Sequence, residues 1–534
     1  LTGTLACRSN ISHEITNPQR NLRLYMSLFR SAALVSALTL ISRVTGLLRE
    51  NLTAVLFGSN AMTDAFFVAF RLPNLLRRLF AEGAFSQAFV PMLAQARQQG
   101  DDAAYQRFIN QTASLMFWFL MGLSAIGAIA APVLVWLMAG GLASDAAALG
   151  AATDMARWMF PYILPISLVA FASGVLHAES RFAAPAFTPV LLNLSMICAA
   201  LAFHDQVDPP VFALTMGVVI GAVLQLALQW WALASIGRRP MIAFRIRART
   251  MLARMAPAVL AVSAAQVSLI FNTHIASTLG PGRVSWVSFA DRLMEFPTAL
   301  LGVALGTVLL PGLSKARAAN DDATYSKQLD WGLRLTVLLA TPSAIGLWLL
   351  AEPLTALLYH YGRFSERDVV MTAQAAAAYA LGLLGLIGVK VLAPGFYAQQ
   401  DVRTPVKIAL AVLVLTQALN VITVPWLEHA GLALSISVAA LVNALFLLLG
   451  LIRRKLFTPQ SGWLLFASQV LIANLSLALF LAWASQQSWL QWQAMAASPW
   501  LRAFHVLWVI LAAVGLYFLT LRLLGLRWLA FMKP

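Results

Sequence analysis

Charge is scarce in this chain: 11% of its 534 residues are Asp, Glu, Lys or Arg, against 60% apolar. Soluble domains average about 25% charged and about 45–50% apolar residues, so a water-facing globular surface is excluded and a lipid solvent is implied. Cysteine is scarcer still. Cys7 and Cys198 are too few and too far apart for a disulfide framework or a zinc site. There is no Walker phosphate loop, no dinucleotide fingerprint and no HExxH pair, and the 7 histidines are scattered. ATP hydrolysis is therefore unsupported, and no catalytic residue, cofactor or metal is expected. The formal net charge of +16 is dispersed between apolar runs rather than gathered into a basic patch, so no nucleic-acid partner is expected either.

What the chain has in abundance is apolar length. A spanning helix needs about 20 mostly apolar residues. Fourteen such segments can be laid out, near 31–57, 61–96, 104–140, 145–177, 185–204, 211–236, 249–280, 285–316, 324–359, 367–398, 403–426, 430–454, 462–485 and 500–524. The expected fold is an all-α polytopic membrane protein with two six-helix lobes, 26–240 and 241–456, and a C-terminal helix pair, 457–534. Residues 1–25 are polar and mixed, lack the apolar core of a secretory signal, and read as an extension ahead of Met26.

Lys and Arg collect in alternate connections: Arg97 and Arg107; Arg181; the run from Arg238 to Arg254; Lys315, Arg317 and Lys327; Arg403 and Lys407; Arg453 to Lys455. The other set of connections holds only Arg283, Arg363 and Arg367. Positive charge marks the cytoplasmic side, so both termini are expected there.

Slid along itself by 220 residues, the chain matches: Pro91 falls on Pro311, Arg97 on Arg317 and Pro185 on Pro405. Apolar coincidences are cheap in membrane proteins, but two prolines and an arginine at one offset indicate an internal repeat. Six helices per copy leave both copies in the same orientation. Folds of that kind bind cargo near the midplane between the lobes and alternate access by rocking them.

Ionisable groups deep in apolar segments mark pathways or sites unless they snorkel from helix ends. The first segment contains SRVTGLLRE, Ser42 to Glu50, which buries Arg43, Arg49 and Glu50. The second carries Asp64, Arg71, Arg77, Arg78 and Glu82, with a helix break expected at Pro73 and Asn74. The eighth, its counterpart in the repeat, adds Asp291, Arg292 and Glu295. Four arginines facing lipid would cost roughly 10–14 kcal/mol, comparable to a whole folding free energy. Arg43, Arg49, Arg77 and Arg292 should therefore face a hydrated interior, balanced by Glu50, Asp64, Glu82 or Asp291, or by an anion. Guanidinium forks suit phosphate. Arg71, Arg78 and Arg334 read instead as structural ion pairs, His274 as a satisfied interior histidine, and Gly382, Gly385 and Gly388 as close-packing positions. Lys390 reads equally as a cavity lysine or a helix-end snorkel.

At these residues the sequence resembles the MurJ/MviN family of lipid II flippases, within the multidrug/oligosaccharidyl-lipid/polysaccharide exporter superfamily. The resemblance runs from about Met26 to the C-terminus. It rests on SRVTGLLRE, on the block from Thr63 to Pro91 (TDAFF, LPN, LLRR, AEGAFSQAFVP), on SWVSFADRLMEFP (Ser285 to Pro297) and on VKVLAPGFYAQQDVRTPVK (Val389 to Lys407). It implies that Arg43, Arg49, Arg77 and Arg292 bind the diphosphate of lipid II and that Asp64 and Glu82 are functional acids. It also implies that the last two helices hold the polyprenyl tail. Glu50 stands where the family often has Asp, and the first 25 residues have no counterpart.

The expectation is thus a flippase rather than an enzyme, in the bacterial cytoplasmic (inner) membrane. It would carry lipid II from the inner to the outer leaflet by alternating access, as a monomer among membrane lipids. A membrane potential or an ion gradient would drive it. One elementary charge is worth about 2.3 kcal/mol per 100 mV. The alternatives are an exporter of another lipid-linked oligosaccharide or of drugs, or a polytopic glycosyltransferase. A cationic-drug exporter calls for an acidic cavity and a glycosyltransferase for surface carboxylates with a sizeable outer loop, neither of which the charge pattern offers.

Overall fold

The computed structural model describes residues 18–77, 85–98, 100–243, 266–487, 489, 491–493 and 498–526, and among them every regular element is helical. The first half comprises α1 (Pro18–Phe57), α2 (Ala61–Arg77), α3 (Phe85–Gln98), α4 (Asp102–Ala139), α5 (Ala146–Met159), α6 (Ile163–Ala178), α7 (Ala183–Phe203) and α8 (Phe212–Ser235). The second half follows with α9, described over 266–278. Next come α10 (Arg283–Pro297), a π-helical turn (Thr298–Val303), α11 (Ala304–Ala318), α12 (Asp322–Leu349), α13 (Ala351–Tyr359), α14 (Glu366–Leu381), α15 (Leu383–Tyr397) and α16 (Arg403–Arg453). Two helices close the chain, α17 (Trp463–Ser485) and α18 (Pro499–Leu523).

Among the described residues, 8 helical stretches are long and apolar enough to cross a membrane, and α14 with α15, bent by 42°, make a ninth. One of the 8 is α16, whose 51 residues are interrupted by a non-helical Glu428 and so hold both the eleventh and twelfth expected segments. Outside this set lie the first, second, seventh and eighth expected segments. Three of these carry the deep charges, and much of the other, 249–265, lies outside the described residues.

The internal repeat is written in the element boundaries. Helices start at 102 and 322, 146 and 366, 163 and 383, and 183 and 403, each pair 220 residues apart. At the first two pairs the caps recur as well. Asp101 accepts from the Ala104 amide and Asp321 from that of Thr324, while Asp145 caps α5 and Ser365 caps α14 with a reciprocal Asp368 box. Left-handed residues repeat too, at Gly100 and Asn320 and at Ser180 and Gln400.

Packing between neighbouring spans relies on small residues. A Cβ on Gly382 would sit 2.6 Å from the Ser437 Cα, and one on Gly385 would sit 2.5 Å from the Ala440 carbonyl carbon, so α15 lies directly on the backbone of α16. The α17–α18 pair stands outside the repeat. It has its own apolar cluster with α12, built on Leu338, Phe466, Leu477, Val509 and Leu521, and is pinned there by the Tyr517 hydroxyl donating to the Leu338 carbonyl at 2.8 Å. Large apolar side chains such as Ile129, Leu464 and Trp500 point outward, as a lipid-facing surface requires.

The helix break expected at Pro73 and Asn74 is not there. α2 runs on through both residues to Arg77, with Pro73 buried in its interior and the Asn74 Nδ2 donating to the Phe70 carbonyl at 3.0 Å. Pro73 costs the helix one bond, to the Ala69 carbonyl, a loss that a helix packed inside the protein tolerates.

Candidate functional site

The two halves join at one end of the molecule. There the Arg363 amide donates to the Val55 carbonyl at 2.8 Å, and the Asn51 side-chain amide donates to the Leu358 carbonyl. Gly58 and Gly362 both have positive φ, and a Cβ on either would fall within 2.6 Å of the facing backbone. At the opposite end the ion pairs hold each half to itself: Arg97 to Glu179 and Arg238 to Asp102 in the first half, Arg454 to Asp401 and Arg334 to Asp330 in the second. Arg334 thus has the sealing role its position suggested, whereas His274, with its Nδ1 3.0 Å from the Leu137 carbonyl, is half-buried near the closed end rather than interior.

Between the halves lies a cavity of about 520 Å³ that reaches from Glu50 to Pro185 at the start of α7. Its polar wall is Arg49 and Glu50 from α1, Arg71, Asn74 and Arg77 from α2, and Ser288, Asp291 and Arg292 from α10. Phe66, Phe67, Phe70, Tyr162, Ile166 and Leu192 supply the apolar wall. Arg49, Arg77, Arg292, Glu50 and Asp291, predicted from separate segments, therefore converge. The convergence follows from helical period: Arg71, Asn74 and Arg77 repeat at three residues on α2, and Ser288, Asp291 and Arg292 fall at three and four on α10.

At the head of the cavity Glu50 bridges the halves. Its Oε1 contacts the Arg49 Nη2 beside it and lies 3.3 Å from the Arg292 Nε across the interface. Arg49 is 9% exposed and Glu50 6%, so the pair is nearly dry. Arg49 is further held by the Asn193 Oδ1 at 3.1 Å, and Asn193 is fixed in turn by the Ser42 carbonyl and the Thr45 hydroxyl. Arg292 is more open, its side chain 43% exposed, and it reaches Glu295 at 2.7 Å. Arg77 lies lower on the wall with its Nε 3.3 Å from the Asn74 Oδ1.

Two expected site residues fall elsewhere, and a third is outside the described residues. Asp64 is a helix cap rather than a lining carboxylate: buried at 1% exposure, it accepts from the Gly282 and Ser285 amides at 2.7 Å each and from the Ser285 hydroxyl. These are the first free amides of α10, so a first-half carboxylate caps a second-half helix. Arg43 is exposed on α1, two turns before Glu50, and is not among the lining side chains. The Lys390 stem lies against Gly302. Glu82 and Arg78 lie outside the described residues.

The sequence reading assigned Arg71 to structure, yet it lines the cavity and donates across the halves to the Thr273 and Ser288 hydroxyls at 2.8 and 2.7 Å. It did not single out Asn193, although a lone amide in the run LLNLS was the available signal.

Two helical halves related by repeat, closed at one end around a cavity whose polar wall carries four arginines, have the architecture of a polytopic membrane transporter. The family model described as Lipid II flippase MurJ matches residues 53–501. The lipid II flippase MurJ of Burkholderia cenocepacia is 49% identical over 516 residues, 95% of this chain and 99% of that protein. The chain belongs to the lipid II flippase MurJ family. Among solved structures, a lipid II flippase MurJ in an inward closed conformation shares its fold with a TM-score of 0.77 at 24% identity, covering 92% of this chain and 100% of that one. An inward-facing multidrug transporter of the MATE family follows with a TM-score of 0.64 at 14% identity, covering 81% and 100%.

Proposed function

We propose that this protein carries lipid II across the bacterial cytoplasmic membrane from the inner to the outer leaflet, with the diphosphate bound in the cavity between the halves. Residues 26–240 and 241–456 act as the two lobes, and 457–534 as the helix pair that takes the lipid tail. Both termini face the cytoplasm, so the closed end is the outer one and the cavity faces inward. The protein works as a monomer surrounded by membrane lipids.

The observation that carries this reading is Glu50 held between Arg49 of one half and Arg292 of the other. With no cargo, the Glu50 carboxylate bridges the two cations, Glu295 balances the second charge on Arg292, and the bridge keeps the halves together. A diphosphate entering the cavity offers more acceptor oxygens than Glu50, in the geometry that guanidinium forks prefer, and competes for Arg292, the more exposed partner. Arg77 and Arg71 extend the positive wall along the path, and Asp291 keeps it from binding too tightly to release. Once Arg292 turns to the cargo, the Glu50 bridge weakens and the halves can part at the closed end. Arg43 and Lys390, beyond the cavity wall, extend the basic path for the approaching head group.

Depletion tests the reading. Cells that lose this protein should accumulate lipid II accessible only from the cytoplasmic face. If lipid II still reaches the outer leaflet at its normal level, the reading is wrong.

A further inference from the structure

We infer that the closed end carries a second anion site, a pocket for a lipid-borne phosphate or diphosphate, built on Arg283, Arg363 and Arg367. These are the three arginines of the connections that are otherwise poor in positive charge. The fold gathers all three around one pocket of about 610 Å³, with residues 57–60 of the first half on its other side. Cations on that side of a membrane protein run against the usual bias, so their convergence calls for a ligand.

The groups around them are already arranged. The Trp286 indole sits under two of the guanidinium groups, with its ring centroid 5.5 Å from the Arg283 Cζ and 5.9 Å from the Arg367 Cζ. Its Nε1 is locked to the Asp368 Oδ1 at 2.8 Å. Asp368 is buried and also accepts from the Ser365 amide and hydroxyl at 2.9 Å each, so its carboxylate is committed to capping α14. Arg283 has Glu428 at 3.0 Å. Among the described residues, neither Arg363 nor Arg367 has an acidic partner within ion-pair distance. Two donors at this pocket, the Arg283 Nε and the Ser59 hydroxyl, are buried without an acceptor. Buried donors left in that state are rare and point to an absent acceptor.

A ligand made only of acceptor oxygens answers every one of these features. Phosphate oxygens accept from guanidinium forks two at a time, and a diphosphate spans more than one arginine. The pocket lies against the seam that Asp64 and α10 form, so an anion held there sits directly beyond the closed end of the cavity. Its existence as an anion site stands by itself. Its use as a landing place for the diphosphate of departing cargo rests on the proposed function.

The test places Pro281→Cys, at the pocket lining, in a chain whose Cys7 and Cys198 are replaced by serine, and follows maleimide labelling in phosphatidylcholine nanodiscs. Inorganic pyrophosphate should slow labelling at least fivefold relative to chloride of equal ionic strength. Arg363→Gln/Arg367→Gln should abolish the protection, and Arg363→Lys/Arg367→Lys should keep most of it. Arg292→Gln, which disables the cavity, should leave protection intact, so that loss of transport and loss of this site separate. Absent protection in the parent chain, or equal protection in the glutamine pair, overturns the site. A polyprenyl diphosphate added to the nanodisc should reproduce the protection where phosphatidylglycerol does not. Protection by phosphatidylglycerol alone would keep a lipid-phosphate site but end its role as a landing place, and protection by neither would end the lipid-borne assignment.

Discussion

Removing the Asp64 carboxylate should open the closed end. In the Asp64→Ala chain the Gly282 and Ser285 amides lose their acceptor, since Asp64 takes both at 2.7 Å in a site that is only 1% exposed. Each buried donor left unsatisfied costs about 1–3 kcal/mol, so the two amides together put about 2–6 kcal/mol against the closed arrangement. The loss falls on that arrangement specifically, because the carboxylate sits on one half and the amides on the other. Even about 2 kcal/mol shifts the balance between closed and open forms about 30-fold. Asp64→Asn, which keeps one acceptor oxygen, should lie between the two. Spin labels on Ser144→Cys and Thr278→Cys, both exposed and on opposite halves at that end, report the separation in a chain without native cysteines. A population at longer distance should appear with alanine, and less of it with asparagine. A distance distribution unchanged in the folded alanine chain would refute the latch.

Replacing Glu50 with Gln leaves Arg49 nearly buried beside a neutral partner and should cost about 3–5 kcal/mol, seen as a fall in thermal stability that Glu50→Asp largely avoids. Gly385→Val should destabilise the second half by prising α15 off α16, whereas Gly388→Ala, whose Cβ would meet only the Ala444 methyl at 3.3 Å, should be mild; melting temperatures rank the two. In the connection after α15, hydrogen bonds from Thr404 and the Arg454 guanidinium hold the Asp401 carboxyl well below the usual carboxylate range. A carboxylate with a depressed folded pKa stabilises above its unfolded value of about 3.9 and loses that contribution as pH falls through the folded value. Asp401→Asn should therefore lower stability at neutral pH, and the gap from the parent should shrink progressively below about pH 4.

Much of this architecture can be read from residues because the physics that fixes it is local. Apolar runs of spanning length, the basic connections and the caps Asp101, Asp145, Asp321 and Ser365 each act within a turn or two of their own position, and the repeat places them at matching numbers. The arginines of the cavity were legible for a second reason, the high cost of a guanidinium in lipid. Tertiary pairing was not legible. Nothing near Asp64 in sequence shows that its partners are amides of residues 282 and 285, more than two hundred positions away, so it reads as a coupling acid until the fold brings α10 to it. Pro73 likewise reads as a break because proline removes a donor, yet α2 runs on to Arg77 with the ring buried in its interior. Arg43 and Arg49, six apart on one helix, look equivalent in sequence, yet the second lines the cavity and the first does not.

The most direct measurement is the amount of lipid II exposed on the outer face of cells that depend on the Arg292→Ala chain. With the protein present at its normal level, exposure should fall to that of depleted cells, because the cross-half cation that cargo must capture is gone. Normal exposure at normal protein level would contradict the role assigned to the Arg49, Glu50 and Arg292 bridge.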